Sequence, residues 1–215
     1  MPSLTSNRMA ALGGIAFLIL IIVADFSSGS MPSVDDSPAK IARFFADHHK
    51  RIAVGAVLSG IAAPLYVWLF AVVCRGIRRA GALALSVGAF GFAVVGAALA
   101  VTGDAVYASL AHAASQGDVA FAKSGYDLSG FLSQKYWWFA AFLALAIWLA
   151  SGSMAQWYRG LTLVAAVLFA LGGIGVQQHG FFAVNGAATG IAFIAFLVWI
   201  LGTSVVVWSM PEVET

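Results

Sequence analysis

The chain has 215 residues, 61% of them hydrophobic and 9% charged, with a mean hydropathy of +0.93. Soluble domains carry roughly 25% charged residues, so this sequence lacks the polar groups to cover a globular surface and reads as an all-α polytopic bundle of transmembrane helices in one domain. Disorder, coiled coil and a nucleic-acid-binding domain are excluded with it; the net charge of +2 names no anionic partner, and the single cysteine, Cys74, permits neither an intrachain disulfide nor a thiolate metal site.

The first apolar run, about 9–25, follows Arg8 and stops at Asp25. It is longer than the ~7–15-residue core of a secretory signal and has no clear A-x-A cleavage site, so it reads as a retained first helix. In the polar connection that follows, Ser37 can cap a helix and Pro38 suits its first position. Ile41, Phe44, Phe45 and His48 share one face there, which predicts a short interfacial amphipathic helix before helix two. Helix two covers 51–74, with Pro64 predicting a kink, and Arg75, Arg78 and Arg79 close it.

Helix three, 80–101, carries Ala80, Ala84, Gly88, Gly96 and Ala100 as a smooth seam for another helix. Residues 102–134 form the longest polar connection, yet Val106, Leu110 and Ala113 keep helical spacing and predict an extension that turns near Gly117. Helix four, 136–154, opens on Tyr136-Trp137-Trp138, and helix five, 160–176, follows Trp157-Tyr158-Arg159. These aromatic residues border polar breaks, as expected of rings at headgroup level. Helix six, 181–208, contains Gly186 and Gly190 beside Asn185 and Thr189, a spacing expected to serve helix packing.

Six spans put both termini on one side, together with Arg8, Arg75, Arg78, Arg79 and Arg159 in short segments. The positive-inside rule makes that side cytoplasmic, in the cell membrane. Lys40, Arg43, Lys50, Arg51, Lys123 and Lys135 oppose it, but from longer connections diluted by acids. Seven of the nine acids and all four histidines then fall on the outer side. Asp25 ends helix one, Asp104 and His112 follow helix three, and His179 lies between helices five and six, so these four are the candidate catalytic residues of an outward-facing mouth. The plainer reading is that they are solvated helix ends, because none lies deep within an apolar run, and it weighs more.

No metal or cofactor is expected. His48 and His49 are adjacent and point to different faces, and neither H-x-x-x-H nor H-E-x-x-H occurs. Haem between facing helices would need His112 and His179 within spans, and both read as lying at ends. There is no G-x-S-x-G elbow and no G-x-G-x-x-G after a strand. Paired broken helices and a deep carboxylate, which would mark a transporter, are also missing.

The segment Ser37-Pro38-Ala39-Lys40-Ile41-Ala42-Arg43-Phe44-Phe45-Ala46-Asp47-His48-His49-Lys50-Arg51-Ile52, with the later Cys74-Arg75-Gly76-Ile77-Arg78-Arg79 and Trp157-Tyr158-Arg159-Gly160, resembles a group of uncharacterised multi-pass membrane proteins common in actinobacteria. The likeness spans nearly the whole chain loosely, is most specific over 37–52, and lapses in the glycine-rich stretch 172–190. It implies fold and topology and transfers no activity. The function expected is non-enzymatic binding of a small lipophilic ligand or a partner subunit, in contact with membrane lipid. The alternatives are a membrane enzyme or cofactor protein acting on a lipophilic substrate at the outer mouth, and a small-solute transporter or channel.

Overall fold

The computed structural model describes residues 6–29, 31–33, 35–174, 180–182 and 186–211. They form six α-helices and no strand: α1 (Ser6–Ser28), α2 (Pro38–Arg79), α3 (Leu83–Ser115), α4 (Val119–Ala150), α5 (Gln156–Gly173) and α6 (Ala187–Ser209), with a 3₁₀ turn at Ser151–Ser153. Helices α1, α2, α3 and α6 are long and apolar enough to cross a membrane, which is the build of a membrane protein. Each helix packs on its neighbour in the chain and α6 returns to α1, closing the bundle, while α2 also meets α4 and α6. Glycines at positive φ, Gly81 at +86° and Gly117 at +89°, reverse the chain between α2 and α3 and between α3 and α4, a conformation that costs other residues a Cβ clash.

The amphipathic stretch read ahead of helix two is helical, and it continues without a break into that helix. Ser37 caps it, accepting from the Lys40 amide at 3.3 Å, and no glycine or proline interrupts the chain between Pro38 and Gly55. The resulting 42-residue α2 reaches ~63 Å at 1.5 Å rise per residue, about twice a hydrocarbon core. Helix four likewise begins near Val119, well ahead of the expected Tyr136, with Asp118 as its cap accepting from the Phe121 amide at 2.9 Å. Residues 119–135 are amphipathic, so they escape a search for purely apolar runs. The overhanging ends of α2, α3 and α4 make a cap with its own core, where Ile41, Phe45, Leu110 and Tyr126 are fully buried. The Tyr126 hydroxyl donates to the Pro32 carbonyl and ties the incoming connection to α4.

The packing face of α3 differs from the expected seam. Ser86, Ala89, Ala93, Gly96 and Ala97 are buried, whereas Ala80 and Ala84 are exposed; the face follows the i, i+3, i+4 helical period, and the strict four-residue spacing drifts off it. The aromatic belt is also redistributed. Trp137 and Tyr158 are core residues and Trp157 is half exposed, because Trp137 packs against Phe169 and Phe196 and the Tyr158 hydroxyl meets Thr203 Oγ1 at 3.0 Å.

At one end the helices are tied through arginine. Arg75 donates to Asn7 Oδ1 at 2.6 Å, Asn7 donates to the Met210 carbonyl at 3.4 Å, and the Arg8 guanidinium lies 5.6 Å from the Trp208 ring. The opposite, acidic end carries the cap and an opening between the helices.

Candidate functional site

Helical periodicity turns one face of each of five helices toward a common space at the acidic end. On α2 that face holds Gly55, Ser59, Ala63 and Tyr66; on α3 it holds Ala97, Ala100, Asp104 and Tyr107. Asp104 thus continues the line of buried Ala93 and Ala97 and points inward. The α1 face ends at Asp25, α4 contributes Ser129, Ser133 and Tyr136, and α6 contributes Thr189 and Gly190. Together they enclose a cavity of about 540 Å³, within the size range of small-molecule sites.

Phe196 of α6 forms the floor where the helices meet. Its ring packs edge-on against Phe17, Tyr136 and Trp137, with centroids 5.9, 5.9 and 6.2 Å away, and lies 6.1 Å from Tyr66. Toward the mouth the surface becomes polar. Ser59 donates to Asp104 Oδ2, and Asp25 stands exposed at the rim, within electrostatic range of Asp104. Asp104 lies about 20 residues beyond the start of α3, or ~30 Å along it, which is the far boundary of a hydrocarbon core laid from the arginine end.

Two observations distinguish this space from a packing gap. First, its described lining contains two aspartates and no lysine, arginine or histidine. Elsewhere at this end two acids are matched: Lys40 hydrogen-bonds Asp36 at 2.7 Å and holds that carboxyl below its ordinary range, and Lys123 pairs with Asp127. Second, the Tyr66 hydroxyl and the Trp137 indole N–H, on residues only 3% and 4% exposed, have no hydrogen-bond partner among the described residues. Each such group costs about 1–3 kcal/mol; both belong to cavity-lining residues, and the atoms themselves lie beneath the cavity surface.

The four candidate residues separate. Asp25 and Asp104 line the cavity; His112 is exposed on α3, two turns beyond Asp104, and does not line it; His179 lies outside the described residues. His48 and His49 turn Nδ1 to carbonyls of their own helix, Phe44 and Ala46, each at 2.8 Å. The Gly186–Gly190 pair, expected to be a packing seam, lines the cavity, and a Cβ placed at Gly190 would meet nothing within 4 Å. The neighbouring Asn185 lies outside the described residues. Ser59, Tyr66 and Tyr136 carry much of the site's polarity and are not among the sequence candidates; the signal for them was the shared face of Gly55, Ser59 and Tyr66 inside an apolar run.

Among the described residues no three of His, Cys, Asp and Glu gather where one metal ion could be held. Among the described residues no histidine lines the cavity, and none of them sets an imidazole base of the kind that activates a serine nucleophile beside Ser59. The arrangement is suited to holding a molecule with an apolar body and a polar head. Comparison with protein-family models, with curated proteins and with solved structures finds no match for this chain.

Proposed function

We propose that this chain is a multi-pass protein of the cytoplasmic membrane, crossing it six times with both termini inside, and that its cavity binds a small amphipathic ligand entering from the outer side. The observation that carries the reading is the cavity itself: an aromatic floor on Phe196 and a polar rim at Asp25 and Asp104. Support for the orientation comes from Arg8, Arg75, Arg78, Arg79 and Arg159, all of which belong to the end opposite the cavity mouth. The likeness of 37–52 to actinobacterial multi-pass proteins is part of the same proposal and bears on topology alone.

Native mass spectrometry of the protein released from lipid nanodiscs tests the binding. A bound small molecule is expected on the wild type and lost in Gly190→Trp, whose side chain would occupy the cavity from a position with no close neighbour. Equal ligand occupancy in the two proteins would place the binding elsewhere and defeat the reading.

A further inference from the structure

Resting on that reading of the cavity, we infer that its ligand is an organic cation, an amphiphile whose positive head lies between Asp25 and Asp104 and whose apolar body lies on the aromatic floor.

The argument begins with unmatched charge. Asp25 and Asp104 share one cavity, and no cationic side chain among its described lining residues faces them. Lys40 and Lys123, at the same end, are paired with Asp36 and Asp127 instead. Ionisable groups at membrane depth are costly unless partnered. Ser59 supplies one hydrogen bond to Asp104, and no described lining residue supplies a counter-charge. A cation entering the cavity would supply the counter-charge, and an anionic amphiphile would be repelled.

The walls decide what kind of cation. Tyr66, Tyr136, Trp137 and Phe196 present aromatic surface below the carboxylates, and such faces attract a desolvated ammonium or phosphonium. A bare metal ion fits poorly, since hard divalent cations take six or more oxygen ligands and no three metal-binding side chains gather among the described residues. The space is also far larger than an ion requires, about 540 Å³.

Three probes test the charge: tetraphenylphosphonium, tetraphenylborate of nearly the same shape, and the smaller neutral triphenylphosphine oxide. Each is titrated by equilibrium dialysis onto the full chain in phosphatidylcholine nanodiscs, with partition into empty discs subtracted. Saturable binding of the phosphonium is expected, weakened at least about tenfold by Asp104→Asn and weakened also by Asp25→Asn. The phosphine oxide should bind more weakly than the phosphonium and be indifferent to both substitutions, and the borate should not saturate. Asp25 is exposed at the rim, so Asp25→Asn tests the idea without disturbing the fold should Asp104→Asn fail to assemble. If the neutral or anionic probe binds as tightly as the cation, or both substitutions leave phosphonium binding intact, the cation inference is overturned while the cavity reading survives. If none of the three binds saturably, both are overturned.

Discussion

Asp36 and Asp104 are both aspartates at the acidic end, and their neighbours separate their roles. Asp36 is matched by Lys40 four residues on, a surface pair of small energetic worth; Asp104 accepts from a serine hydroxyl of another helix and faces a cavity with no cation among its described lining. The sequence shows that Asp104 breaks an apolar run, because charge in such a run is conspicuous. It hides Ser59 and Tyr66, whose residue types are unremarkable within an apolar helix and acquire meaning only when α2 is rotated against α3. Tyr126 is a second residue of that kind: apolar in pattern, yet its hydroxyl holds the Pro32 carbonyl. Tyr126→Phe keeps the ring packing against Phe45 and removes the bond, so thermal unfolding should show a loss of about 1 kcal/mol. An unchanged melting curve would mean that the connection at Pro32 is held by packing alone.

Among the elements, α2 departs furthest from its reading. A hydropathy pattern separates the amphipathic 38–50 from the apolar 51–74, because it reports what surrounds a helix; continuity of the backbone depends on breakers, and none lies between them. The consequence is mechanical. The cap cluster around Phe45 and the bundle core around Leu69 and Phe70 sit on one continuous helix, which carries Pro64 between them. Arg51→Pro would remove a backbone hydrogen bond at the junction and clash with the preceding turn, at a cost of roughly 3 kcal/mol. Hydrogen exchange is expected to speed up over residues 38–50 while residues near Leu69 stay protected. Unaltered exchange over 38–50 would show that the cap holds that segment without help from the rest of α2.

At the scale of the whole molecule, the all-helical architecture and the gathering of arginines at one end were legible because both follow from composition and spacing. Of the cavity only Asp25 and Asp104 at the rim were legible; its walls and floor arise from the faces of five helices, and each face is visible only once the bundle closes. The account therefore turns on whether this space is a site reached from outside the cell. Cys74 is buried, so a Cys74→Ala background leaves the introduced cysteines as the reporters. With Lys40→Cys and Arg78→Cys as outer and inner references, both at exposed positions, Gly190→Cys is treated in intact cells with a membrane-impermeant maleimide. Labelling of the cysteines at 40 and 190, with that at 78 untouched until the membrane is opened, is the predicted result. Labelling at 78 in intact cells, or none at 190 while 40 reacts, would contradict an outward-opening cavity.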